Sequence, residues 1–207
     1  MIFFDPRIDT PPAPLTHNPF PALIAPRPIA WVGTIGLSGE TNLAPYSHFN
    51  IVSVDPPMVM FAPSSKDAAE TPKDTLRNVR EVPEFTVSVV SRHHSELMNL
   101  TSKAFDYGTS EFASAGVPQT PSIKVRPPRV AAASAALECT VWDIVDLPGG
   151  KAKGRCHIVI GEVVGIHIAE NVVVDGRVNA ALLAQVARLG YFDYCAVTET
   201  FVMKRPA

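Results

Sequence analysis

Residues 26–61 read Pro-Arg-Pro-Ile-Ala-Trp-Val-Gly-Thr-Ile-Gly-Leu-Ser-Gly-Glu-Thr-Asn-Leu-Ala-Pro-Tyr-Ser-His-Phe-Asn-Ile-Val-Ser-Val-Asp-Pro-Pro-Met-Val-Met-Phe. Positions 28–35 are rich in β-branched and aromatic residues and stop at Gly36, which predicts a strand and a tight turn. Positions 42–50, Asn-Leu-Ala-Pro-Tyr-Ser-His-Phe-Asn, predict a polar-aromatic loop, and positions 58–61 a short apolar strand. Strand, turn, loop and strand in that order are how a β-barrel sets backbone amides beside a flat, polar ligand.

Outward from this stretch, strand patterns dominate. Residues 85–90 alternate and then become continuously apolar, as in a strand covered on both faces. A longer alternating run at 136–147 stops at Pro148-Gly149-Gly150, and residues 154–169 predict its antiparallel partner. Residues 172–174 lead into the turn dipeptide Asp175-Gly176. Three helices are predicted. In the first, Thr71 is the N-cap, Pro72 the first helical residue and Asp74 the capping-box acid. Leu76 and Val79 face inward there, and Pro83 stops the helix. The second spans 95–102. The third spans 179–189, with Leu182, Leu183, Val186 and Leu189 on one face and Gly190 at its end. The predicted fold is mainly β with a few helices, an antiparallel barrel closed or half closed. Neither a repeat nor a linker-like segment divides residues 1–207, which predicts one domain.

A chain of 207 residues is long enough for a sizeable core. Hydrophobic residues at 46% and charged ones at 18% describe a globular protein, not a disordered one. The net charge of -2 carries no basic excess, so nucleic acid is not an expected partner. No apolar run reaches the ~20 residues of a membrane span, and residues 1–9 are broken by charges, unlike a signal peptide. No membrane partner and a cytoplasmic location are expected. Prolines crowd into 6–28 and 118–128 and mark extended connections. Cys139, Cys156 and Cys195 are widely spaced and predict free thiols. The histidines show no ligand spacing, so no metal site is expected. Nucleophile elbows and glycine-rich phosphate loops are missing as well. That argues against a hydrolase and fits chemistry carried by a cofactor.

Two elements suit such a cofactor. In the loop, Ser47 and Asn50 supply donors while Tyr46 or Phe49 packs on a ring face. A buried acceptor on the ring edge, left unpaired, costs roughly 1–3 kcal/mol. The plainer reading, a barrel corner whose aromatics fill core, stays open. Farther on, Ser64, Ser65 and Lys66, with Lys73 and Thr75 at the helix start, make a phosphate seat. A capped surface helix with a solvated lysine is the alternative. His48 gates access to the loop or faces solvent.

Several runs stand in a telling order: Arg27 to Thr34, Asn42 to Asn50, Asp55-Pro56-Pro57, Lys73-Asp74-Thr75, Glu84-Phe85-Thr86-Val87, Leu137-Glu138-Cys139, Gly161-Glu162-Val163 and Arg188-Leu189-Gly190. That set resembles the flavin reductase-like FMN-binding split barrels, the family of flavoredoxins and of reductase components of two-component monooxygenases. The resemblance implies an antiparallel split β-barrel that binds FMN in a groove of a homodimer. Asn42, Ala44, Ser47, Phe49 and Asn50 would then serve the ring and ribityl chain. Ser64, Lys73 and Thr75, with Arg27 and Thr34, would serve the phosphate, and Arg188 and Tyr191 would border the flavin. The implied activity is hydride transfer from NADH or NADPH to FMN, with no protein residue as strict catalytic acid. A monooxygenase or electron-transfer protein is the implied partner. Rival readings are a flavoredoxin-like electron carrier without NAD(P)H activity, a pyridoxamine-phosphate oxidase-like barrel, and a binding module that has lost flavin. Members commonly show Arg-Leu-Gly-Gly near the end, whereas Tyr191 follows Gly190 here.

Overall fold

Seven antiparallel strands build the central sheet: β1 (Ala30–Ile35), β2 (Thr41–Tyr46), β3 (Phe49–Val54), β4 (Pro57–Phe61), β5 (Glu84–Val89), β6 (Ala135–Asp146) and β7 (His157–Ile168). The computed structural model describes residues 1–65, 67, 71–149 and 154–206. The strand order is β2-β1-β5-β6-β7-β4-β3. The two edges, β2 and β3, are neighbours in sequence, joined only by Ser47 and His48 and not paired with each other. The sheet is therefore a split β-barrel whose opening lies at that two-residue connection.

Residue alternation explains why the sheet curls around a core. On β1, Ala30 and Val32 enter a cluster with Phe61, Phe85, Val87, Cys139 and Val159. Trp31 turns the other way, into a second cluster with Val90, Met98, Phe112, Val130 and Val186. Both faces of β1 are covered, so its sequence is continuously apolar. Helix α1 (Asp74–Glu81) adds Leu76 and Val79 to the first cluster, each such burial contributing about 1.5–3 kcal/mol. A Cβ at Gly33 would lie 2.5 Å from Thr86 Oγ1 and 2.7 Å from the Pro128 carbonyl. Glycine is required there for the proline-rich segment to cross β1.

The structure corrects three expectations. Residues 42–50 are not a loop. They are the body of β2, the Ser47-His48 connection and the start of β3, with Asn42 opposite Thr34 and Tyr46 opposite Ala30. The first helix starts at Asp74, not at Pro72. Lys73 is its extended cap (φ -67°, ψ 154°) and makes no side-chain capping bond, while the Thr71 N–H donates to Asp67 Oδ1 at 3.1 Å. The third predicted helix lasts one turn, Ala180–Leu183, capped by Asn179 Oδ1 at 3.0 Å from the Leu182 N–H. Ala184 then takes the left-handed conformation (φ 45°), which ends the helix. Residues Val186–Arg188 form a strand between Arg27–Pro28 and Tyr194–Ala196. Extended backbone lets Val186 reach Trp31 in the second core cluster, which outweighs the helical spacing of the leucines.

Other elements keep their predicted type. Helix α2 is Ser95–Leu100. Asp175-Gly176 joins Val173–Val174 to Arg177–Val178 with φ of 51° and 74°, as the favoured hairpin turn requires. All three cysteines are free. Among the described residues no helix is long and apolar enough to cross a membrane. None of their His, Cys, Asp or Glu side chains gather in threes around a potential metal ion. Lys66 and Gly150 lie outside the described residues.

Candidate functional site

A cavity of about 940 Å³ opens beside the Ser47-His48 connection. Pro45 and Ser47 form one wall. A second wall comes from Arg92 and from α2, which presents Ser95, Glu96 and Asn99, with Ser102 just beyond. The small sheet supplies a third, through Val186, Arg188, Tyr194 and Cys195, with Phe192 from the turn between its strands.

The electrostatics of this corner come from strand register. Arg27 and Arg188 are direct cross-strand partners, and two like charges in that position repel. Among the described residues neither is ion-paired with a carboxylate. Arg188 contacts the Tyr194 ring at 5.5 Å and donates from Nη2 to the Tyr191 carbonyl at 2.9 Å. Arg27 Nη1 donates to the carbonyls of Pro21, Ile24 and Leu189, the last at 3.0 Å. Its buried Nε has no hydrogen-bond partner among the described residues. Desolvation, and then the charge of Arg188, lowers the Arg27 pKa. His48 is lowered as well, by desolvation first and then by Arg27 and Arg188. Positive charge concentrated in this way attracts anions.

The sign of the His48 shift gives a pH dependence. The unfolded chain binds the His48 proton more readily than the folded one. Stability of the ligand-free protein is therefore full above the ordinary histidine pKa of 6.5 and falls as pH drops through the lowered value. An anion bound between the arginines offsets their repulsion and removes the smaller, coulombic part of the lowering at His48. Anion binding just below the ordinary histidine pKa of 6.5 is accordingly expected to take up protons. Calorimetry in buffers of different ionisation enthalpy reads this directly, and enthalpies independent of the buffer would contradict it.

The expected site residues fall into groups. Ser47 and Arg188 line the cavity, with Arg27 and His48 at its charged corner. Tyr191 sits beside them in the turn after Arg188, its backbone at φ 55°. A glycine would hold that angle without strain, which for an L-residue costs roughly 1–2 kcal/mol. The Tyr191 ring meets His17 edge-on at 5.6 Å. Thr34, Asn42 and Thr75 are elsewhere, buried and bonded to one another: both hydroxyls donate to Asn42 Oδ1, at 3.1 and 2.8 Å. Asn42 Nδ2 and the Leu43 N–H in turn donate to the buried Glu111 carboxylate at 2.6 and 3.0 Å. These three side chains are committed to the inside of the barrel. Ala44 and Phe49 are half-buried against the first core cluster, and Asn50 is exposed. Ser64 bridges to Cys156, and Lys73 Nζ stands 6.0 Å from the Tyr46 ring.

Sequence reasoning missed the α2 wall and Phe192. Arg92, Ser95, Glu96, Asn99 and Ser102 recur at helical spacing on one face, with the buried Met98 at its edge. That polar stripe was visible in the sequence, but what it faces was not.

The model of the flavin reductase like domain matches residues 23–186. The chain belongs to this family. Nitrilotriacetate monooxygenase component B from Bacillus cereus is similar to it over 98% of both chains, with a TM-score of 0.88 and 30% identity. The 2-nitrobenzoate 2-nitroreductase of Pseudomonas fluorescens is similar over 90% of this chain and 88% of its own, with a TM-score of 0.78 and 32% identity. An FMN-binding protein from Thermus thermophilus, at 18% identity, shares the fold over 98% of this chain and 100% of its own, with a TM-score of 0.74. In this family member the split of the barrel, the arginine pair and the cavity meet at one corner.

Proposed function

We propose that this chain is an NAD(P)H-dependent flavin oxidoreductase that holds FMN in the cavity beside Ser47 and Arg188. The observation that carries this reading is the cross-strand pair Arg27 and Arg188, two cations without a carboxylate, next to a cavity at the split of a flavin reductase-like barrel. The donor set fits the group. The paired guanidiniums suit a phosphate or the electron-rich edge of a flavin. Ser47 and the connection it belongs to offer hydroxyl and backbone groups to polar ring atoms. Similarity to an FMN-binding protein supports FMN as the flavin.

When bound, FMN supplies acceptance of hydride from NADH or NADPH. The chain's residues orient and stabilise. Arg188 and Arg27 provide positive charge that offsets developing negative charge. The α2 wall and the turn holding Phe192 shape the space in which a second ring is positioned. Thr34, Asn42 and Thr75 contribute as a rigid support inside the barrel, not through direct bonds from their side chains to the flavin. No side chain is assigned as catalytic acid.

A homodimer fits the same reading. The chain exposes 12,734 Å², against about 9,400 Å² expected for a compact monomer of its mass. Ile51, Val52 and Val54 on the edge strand β3 are exposed, as are Trp142, Ile166 and Ile168. Sedimentation at twice the 22.3 kDa chain mass is expected; a monomer that persists with FMN bound would contradict it.

The test of activity is anaerobic mixing of the FMN-loaded protein with NADH or NADPH while flavin absorbance is followed. Prompt bleaching is expected. Yellow protein that stays unbleached with both nucleotides would replace the reductase reading with that of an electron carrier served by another donor.

A further inference from the structure

We propose that the outer part of the cavity is a binding subsite for an aromatic acid, a flat ring with a single anionic group, stacked on Phe192 and paired to Arg92. This rests on the reading that places flavin on the Arg27–Arg188 side. Phe192 carries the inference, because it lines the cavity while 92% exposed. A loose turn would let such a ring fold against the protein, and this turn is fixed on both sides of Phe192. The Leu189 N–H donates to the Asp193 carbonyl at 3.0 Å, and the Asp193 N–H to the Gly190 carbonyl at 2.8 Å. A Cβ on Gly190 would come within 2.5 Å of Ala22 Cβ, so the turn rests on the N-terminal arm. Tyr191 keeps a strained φ of 55°, packs on His17 and accepts from Arg188. Strain retained where the backbone is this well determined marks a side chain held in place for use.

Arg92 supplies the charge. Its Nη1 donates to Ser95 Oγ at 2.8 Å, and among the described residues it forms no ion pair, Glu96 on the same wall included. An arginine fork suits a carboxylate, and an aromatic face suits a ring. Glu96 also sets the charge of the guest. With one negative group already in the wall, a singly charged ring is favoured over a polyphosphate.

Ligand-observed NMR with benzoate, on the full chain with and without FMN, tests the subsite. Benzoate is expected to bind wild type, and Arg92→Ala and Phe192→Ala are each expected to weaken it about tenfold or more. Phe192→Trp keeps a stacking face and should retain binding. FMN affinity is expected to fall less in all three variants than in Arg188→Ala, since none of them removes a charge of the arginine pair. The readout does not depend on flavin colour, so failure to bind FMN overturns the flavin reading alone. The subsite is overturned if benzoate does not bind, or if both alanine variants bind it normally. It is also overturned if nicotinamide mononucleotide binds there and benzoate does not, or if Phe192→Ala converts a dimer to monomers.

Discussion

Replacing Glu138 with alanine is expected to lower the melting temperature by about 6–20 °C, the largest loss of stability among single changes outside the hydrophobic core. Glu138 is fully buried on β6. Its carboxylate accepts from the Ile123, Lys124 and Val125 N–H groups at 2.8, 2.5 and 3.2 Å and is bonded to His167 Nε2 at 2.5 Å. Arg129 Nε is 3.9 Å away. One side chain thus fastens the proline-rich segment before residue 130 to the barrel wall. Removing one partner of a buried charge pair costs about 3–5 kcal/mol, and each kcal/mol is about 2–4 °C at this chain length. Burial raises the Glu138 pKa, but the bonds from Ile123, His167 and Lys124 outweigh it and leave it lowered. Its contribution is therefore complete above the ordinary carboxylate value of 4.5 and is lost as pH falls through the lowered one. Thermal melts from pH 7 to 3 check both points. A Glu138→Ala protein that melts within about 2 °C of wild type would contradict the argument.

Arg188→Ala is expected to weaken FMN binding about 10- to 150-fold, which is the loss of one charge-assisted hydrogen bond of about 1.5–3 kcal/mol. Its fold should survive. The side chain is half-buried, and its recorded contacts are the Tyr191 carbonyl and the Tyr194 ring. Arg188→Lys keeps the charge and should recover part of the affinity, because an ammonium lacks the planar fork. Quenching of flavin fluorescence gives the dissociation constants. Equal affinity in wild type and Arg188→Ala would move the flavin away from this corner.

Local chemistry made some of the fold legible. β1 announced itself through Ala30 to Ile35, the long hairpin of β6 and β7 through alternation, and the Asp175-Gly176 turn through its dipeptide. The third helix failed for a physical reason. Leu182, Leu183, Val186 and Leu189 satisfy helical spacing, but Ala184 turns left-handed and Val186 is drawn to Trp31, a contact 155 residues away that no local pattern displays. Glu111 and Glu138 were silent too, since their partners lie in other segments, at Asn42 and Leu43 for one and Ile123 to Val125 for the other. At the candidate site, Ser47 and Arg188 reached the cavity, while Thr34, Asn42 and Thr75 turned inward. For Thr34 and Asn42 the difference is strand parity, which puts them on the face of Ala30, Val32 and Tyr46, while Thr75 is turned to them from α1 by its bond to Asn42. A residue's face is fixed by register, and register is a long-range property.

The most direct test is an equilibrium titration of the purified protein with FMN, followed by flavin fluorescence and by colour retained after desalting. One saturable site per chain is expected, with the affinity reduced more by Arg188→Ala than by Phe192→Ala. A chain that leaves FMN fluorescent and free at every concentration would contradict the assignment of this cavity to flavin.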